Sequence, residues 1–257
     1  MVTETPDSWG ARIRDAVDGP SGYVVIPALD AAELAAVSSL IEAHWLGRLA
    51  EHAPDMVDAF RTRGMGGYHE LADRIDHAGL WSKPVRILPP EAVETIRATS
   101  LFERLEAAFG PFAISDEEDV GYEEIYWRLV RPDAVDDVGP LHADAWFWKL
   151  GHGVTPPGVT RVKVWVAVAC ERGRSGLRLA PGSHRKDWRY HGELRHGFVK
   201  PQIDETQELP DAAVVDTAPG EAVVFNDRML HGGAVTRGAR CRVSFEFTMF
   251  VQPQGAA

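Results

Sequence analysis

The chain has 257 residues, 45% of them hydrophobic and 25% charged, with a formal net charge of −11. This is ordinary composition for a folded enzyme, and the length allows a large core within one domain. The acidic balance excludes a general nucleic-acid or anionic-membrane surface, since phosphate binding needs clustered positive charge, and no apolar run reaches the length of a bilayer span.

No basic, then apolar leader opens the chain, so cytoplasmic residence is expected. The segment from Gly22 to Pro27 reads as a short strand ended by its proline. Asp30 reads as a helix N-cap with Glu33 placed to complete a capping box, and Leu34, Val37, Leu40, Ile41 and Trp45 recur at helical spacing as a core stripe. An irregular segment carrying Arg61, Arg63, Tyr68, His69 and Lys83 follows, a candidate second wall for a pocket. Pro90 then suits a first helical turn before Val93, Ile96, Leu101, Leu105 and Phe109, which predicts one or two helices closing at Gly110.

From Tyr122 the pattern changes to strands. Ile125 to Val130, Val162 to Ala169, Leu177 to Ala180, Ala222 to Phe225 and Val243 to Phe250 alternate or run apolar between Gly/Pro turns. The expected fold is therefore mainly β with flanking helices: a helical part over residues 1–115, then a jelly-roll, cupin-like double-stranded β-helix core over 116–257, together one domain. Residues 183–218 are too long and too charged for a simple connection and read as a lid-like insertion. Cys170 and Cys241 are the only cysteines, each in apolar, strand-like text, so reduced thiols are expected.

The chemistry gathers around His142, Ala143 and Asp144, an H-x-D triplet. If this segment is an extended strand, residues two apart share a face and His142 and Asp144 both turn toward one metal. His231, in a later apolar segment, supplies a third ligand only if the chain folds back beside the first. Two imidazoles and one carboxylate leave the opposite coordination positions open, the arrangement of non-heme Fe(II) oxygenases. The same strand parity would carry Trp146 and Trp148 to the pocket mouth or into the core. Tyr126 and Arg128, together with Arg185, Lys186, Tyr190 and His191 of the insertion, complete the candidate substrate contacts. The other histidines, His44, His52, His69, His77, His152, His184, His191 and His196, read as surface or hydrogen-bonded structural groups, with His184 anchoring a turn.

The longer text carries a resemblance. Val164-Trp165-Val166-Ala167, Gly176-Leu177 leading to Pro181-Gly182-Ser183-His184, and Pro219-Gly220 leading to Phe225, followed by Leu230-His231-Gly232-Gly233, resemble the phytanoyl-CoA dioxygenase family of Fe(II)/2-oxoglutarate-dependent oxygenases from about Gly22 to Phe250. Glu221 stands where an aspartate is commoner, at a turn position. The resemblance implies Fe(II) as metal, 2-oxoglutarate and O2 as cosubstrates, release of succinate and CO2, and an arginine after the last histidine that binds the distal carboxylate. Arg242 fits that role with Ser244 beside it at the same strand parity; Arg237 and Arg240 compete for it. Asp144 argues against the related halogenases, whose small residue at this position leaves room for halide. Hydroxylation of a small polar or anionic metabolite is the expected outcome, with desaturation, cyclisation and epoxidation open to the same oxidant. The tracts from His142 to Gly153 and from Asp187 to Glu193 also resemble bacterial hydroxylases of the acidic sugar Kdo; a secondary-metabolite tailoring oxygenase is the broader alternative. A zinc hydrolase and a non-catalytic cupin-like binding module are the alternatives from other classes.

Overall fold

The computed structural model describes residues 6–195 and 198–253. Helix α1 (Pro6–Asp18) leads into strand β1 (Tyr23–Pro27), and α2 (Ala31–His52), α3 (Val57–Arg63), α4 (His77–Leu80), α5 (Pro90–Arg97) and α6 (Ser100–Phe109) follow. The β half begins with β2 (Ala113–Ile114) and β3 (Tyr126–Val130), then the short helix α7 (Asp144–Lys149). Beyond it come β4 (Thr160–Ala169), β5 (Leu177–Leu179), β6 (Tyr190–Arg195), β7 (Phe198–Ile203), β8 (Ala213–Val214), β9 (Glu221–Asn226), β10 (His231–Gly233) and β11 (Arg242–Val251).

The capping box forms as the sequence suggests. Asp30 accepts from the Ala32 and Glu33 amides while Glu33 accepts from the Asp30 amide. The other Glu33 oxygen accepts from the Ser100 amide at 2.6 Å, so one carboxylate starts α2 and ties it to the start of α6. Gly110 ends α6 at φ 72°, a conformation open to glycine and costly for other residues.

A six-stranded antiparallel sheet runs β1-β9-β4-β11-β2, with β3 also pairing with β11, and a smaller sheet runs β10-β5-β8. Together they make the jelly-roll, with the helices outside it. Alternation decides what lies where. On β4 and β11, Val162, Val164, Val166, Val243, Phe245, Phe247 and Met249 join the large core shared with α2, α5 and α6. Trp165, Ala167, Val223 and Phe225 turn the other way and pack with Leu177, Leu179 and Met229 between the sheets. Several other inward positions are polar, among them Lys163 on β4 and Arg242, Ser244, Glu246 and Thr248 on β11.

The insertion carries structure of its own: β6 and β7 pair as a hairpin inside it, and β8 joins the smaller sheet. One expectation is revised. The H-x-D segment is not a strand. His142 makes a single bridge to His231, and Asp144 opens α7. The strand stops there because each aromatic of α7 finds a tertiary partner that a helical turn can reach, and an acidic residue suits a helix start. Trp146 stacks on Tyr190, Phe147 meets His142 edge-on, and Trp148 meets Phe250. Both thiols are free, Cys241 buried and Cys170 only half-buried. No helix among the described residues is long and apolar enough to cross a membrane.

Candidate metal centre and cosubstrate pocket

The His142–His231 bridge is a reciprocal backbone pair, each amide donating to the other's carbonyl at 3.0 and 2.8 Å. It brings the two imidazoles to a centroid separation of 4.5 Å. Asp144 then places Oδ1 3.7 Å from His142 Nε2 and 3.6 Å from His231 Nε2. All three donor atoms lie within 4.8 Å of one another. The clustering predicted from sequence is present, although helix entry, not strand parity, aims the carboxylate.

The donor chemistry suits a metal ion. His142 Nδ1 faces the Pro140 carbonyl and His231 Nδ1 faces the Met229 carbonyl, both at 2.9 Å. A carbonyl only accepts, so each Nδ1 carries the proton and each Nε2 presents its lone pair to the shared point. Burial, and then His231, push the His142 pKa down to about 4, which keeps that ring neutral at physiological pH. Phe147 and Phe225 pack edge-on against His142 and His231, at 5.4 and 4.8 Å, and fix both rings.

Beside this cluster lies a buried cation without a counter-ion. Arg242 is 1% exposed and donates only to the Gly176 carbonyl, at 3.3 Å; its Nε and Nη2 and the neighbouring Ser244 Oγ are buried with no partner. Burial, and then Arg128, lower the Arg242 pKa to about 10, which leaves it charged. An unpaired buried guanidinium beside an unpaired buried hydroxyl has the donors to receive a carboxylate. The competitors do not fit it: Arg237 is exposed and pairs with Asp133, and Arg240 is exposed with its guanidinium against Gly66. Glu221 holds its turn as expected, accepting from the Ala218 amide at 2.7 Å.

Sequence reasoning missed the charged network under the cluster. Lys163 is 3.7 Å from Asp144 Oδ2 and 3.8 Å from Glu246, and Glu246 in turn is 3.5 Å from Arg128. Burial alone would raise the Glu246 pKa, but Lys163 and then Arg128 outweigh it and hold it at about 2. The signal that could have found Glu246 is the run Arg242, Ser244, Glu246, Thr248, polar at every second position of an otherwise apolar strand.

Of the candidate substrate contacts, Tyr126 and Arg128 lie beside this network. The others do not meet the metal ligands. Trp146, Lys186 and Tyr190 line a cleft of about 490 Å³ together with the Arg161–Asp227 ion pair, and none of the three metal ligands lines it. Trp148 lies under Arg161, and Arg185 and His191 are exposed. In the irregular segment Tyr68 is core, Arg61 and Arg63 pair at the surface, His69 Nδ1 faces the Cys241 thiol at 3.5 Å, and Lys83 lies over the Tyr126 ring. His184 anchors its turn on the Gly19 carbonyl, and His44, His77 and His152 are hydrogen-bonded structural groups. His196 lies outside the described residues.

Solved structures share this architecture. EctD from S. alaskensis, with 2-oxoglutarate and 5-hydroxyectoine, is 15% identical at a TM-score of 0.59, over 98% of this chain and 78% of its own. The epimerase SnoN, in complex with Fe3+, alpha ketoglutarate and nogalamycin RO, is 17% identical at 0.56, over 98% of this chain and 88% of its own. EvdO2 from Micromonospora carbonacea var. aurantiaca, complexed with 2-oxoglutarate, is 17% identical at 0.56, over 96% and 92%. At such identities the likeness establishes the shared fold. No curated protein matches by sequence. The family model for phytanoyl-CoA dioxygenase (PhyH) matches residues 20–244, most of the chain. The chain thus belongs to the phytanoyl-CoA dioxygenase family of Fe(II)/2-oxoglutarate-dependent oxygenases.

Proposed function

We propose that this oxygenase hydroxylates a C–H bond of a small anionic metabolite, with Fe(II) on His142, Asp144 and His231 and the distal carboxylate of 2-oxoglutarate on Arg242 and Ser244. The observation that carries the reading is the pairing of two incomplete sites. Three metal donors converge within 4.8 Å, and next to them a buried arginine lacks its anion. Bound iron supplies oxidative decarboxylation of the keto acid to succinate and CO2, and transfer of oxygen from O2 to the substrate.

The chain's own part is orientation and exclusion of water. The backbone bridge and the two Nδ1 hydrogen bonds hold both imidazoles in the donor tautomer before any ligand arrives, so little reorganisation accompanies metal binding. Arg242, inside the barrel, meets a carboxylate where water cannot compete for it, which strengthens a two-pronged pair. An anionic substrate is supported by charge placement. Arg86 is buried with two backbone carbonyls as hydrogen-bond partners, at Trp81 and Trp127, and the β3 strand it leans on carries Arg128. Partial burial, and then Arg128, Arg195 and Arg86, hold the Lys200 ammonium below its usual pKa. Of these cations Arg128 and Arg195 pair with Glu246 and Glu193, whereas no ion pair holds Arg86 or Lys200 among the described residues, and it is these two that favour a negative partner.

The test is an anaerobic titration of metal-free protein with Fe(II) and 2-oxoglutarate, followed by air. A visible metal-to-ligand charge-transfer band, then succinate, is expected, and a panel led by acidic sugars and other carboxylates should accelerate succinate release. Bound iron with neither band nor succinate would return the weight to a zinc hydrolase or a binding module.

A further inference from the structure

Asp144 turns Oδ1 to the two imidazoles and leaves Oδ2 buried with no hydrogen-bond donor. Lys163 Nζ stands 3.7 Å from that second oxygen. The lysine is 1% exposed, and its ammonium donates to the Tyr126 hydroxyl at 3.2 Å and to Thr248 Oγ1 at 3.5 Å. Sheet register builds this nest: Lys163 faces Thr248 across β4 and β11, and Tyr126 faces Glu246 across β3 and β11. Thr248 is itself held by donating to Glu117 at 2.8 Å. An ammonium in such a place costs several kcal/mol of desolvation, and an apolar side chain of similar volume would serve packing better. Stability does not explain a charged lysine here; the oxygen it faces does.

We propose that Lys163 is a positioning residue for Asp144: its ammonium engages Oδ2 and leaves Oδ1 as the single oxygen facing the metal. The inference rests on the metal centre proposed above. A carboxylate that closed on the metal with both oxygens would occupy a position that a two-histidine, one-carboxylate site keeps open for cosubstrate or O2. Glu246, 3.8 Å away, and Tyr126 keep the ammonium from following Asp144 into the metal site. The arrangement is the lysine form of the outer-shell support that tunes a ligand without touching the metal.

The experiment compares wild type, Lys163→Met, Lys163→Gln and Lys163→Arg by anaerobic titration with Co(II), following the visible d–d bands, and with Ni(II) by calorimetry. Folding is checked by circular dichroism. Lys163→Met and Lys163→Gln should weaken Ni(II) binding by about tenfold or more and change the shape and intensity of the Co(II) bands. Lys163→Arg, which keeps the charge, should restore both. If Lys163→Met does not fold, the glutamine and arginine variants decide by the same contrast. Wild-type affinity and an unchanged Co(II) spectrum in Lys163→Gln would overturn the role of Lys163 alone. Failure of the wild type to bind Co(II) one to one would overturn the metal centre and this role with it.

Discussion

Along β11 the helix-facing side chains Val243, Phe245, Phe247 and Met249 are as buried as the barrel-facing Arg242, Ser244, Glu246 and Thr248, yet the first set is apolar and the second polar. The outer face gains from every area of surface it removes from water. The inner face gives up hydration and needs partners in return, and its two halves find them differently. Glu246 and Thr248 are answered from within the chain, by Lys163, Arg128 and Glu117. Arg242 and Ser244 are not, since Arg242 Nε and Nη2 and Ser244 Oγ lack partners. One strand therefore packs the fold on one side and lines the proposed cosubstrate site on the other, and substitutions on the two sides should fail in different assays.

The largest effect should come from the centre the inner face surrounds. His231→Ala is expected to abolish one-to-one Fe(II) binding and succinate formation while the apo-protein stays folded; retained stoichiometric iron would remove His231 from the ligand set. On the outer face, Phe245→Ala should cost about 3–5 kcal/mol in urea unfolding, because a large ring leaves a cavity under the helices. Its folded fraction should still bind 2-oxoglutarate with wild-type affinity. Arg242→Ala should reverse that profile, losing about 2–5 kcal/mol of 2-oxoglutarate binding with Ni(II) affinity intact and apo-protein stability equal or higher. A large loss of stability instead would mean that the two faces are not separable. Asp30→Ala removes the cap of α2, which packs on the outer face, and should lower stability by about 1 kcal/mol without changing any ligand affinity. Smallest of all, Arg237→Ala and Arg240→Ala should leave 2-oxoglutarate binding unchanged, and unfolding within about 0.5 kcal/mol of wild type; a specific loss of keto-acid binding in either would reassign the anion site.

Much of this was legible before the fold. The Asp30 and Glu33 capping box is local hydrogen-bond chemistry and appears as read. The strands β3, β4, β9 and β11 follow from alternation, and His142, Asp144, His231 and Arg242 from residue chemistry in a familiar order. What misled was also local. His142 to Trp148 alternates like a strand and is rich in aromatics, so parity left Trp146 and Trp148 between the pocket mouth and the core. In the fold Asp144 begins a helix, Trp146 stacks on Tyr190, and Phe147 reaches His142 instead. The burial of Lys163 and Arg86 has no signal in the residues around them. Only β4's position between β9 and β11 buries Lys163, and only the Trp81 and Trp127 carbonyls hold Arg86 inside.

By itself the sequence determined which side chains each strand sends to each face and which residues have the chemistry to bind a metal and a carboxylate, because alternation and donor type are properties of neighbouring residues. Tertiary structure decided which of them meet. The pairing of His142 with His231, the β3–β11 and β4–β11 registers that place Lys163 beneath Asp144, and the burial that leaves Arg242 without an anion all depend on strands far apart in the chain. Such contacts are selected by the packing of the whole barrel, and no local pattern encodes them.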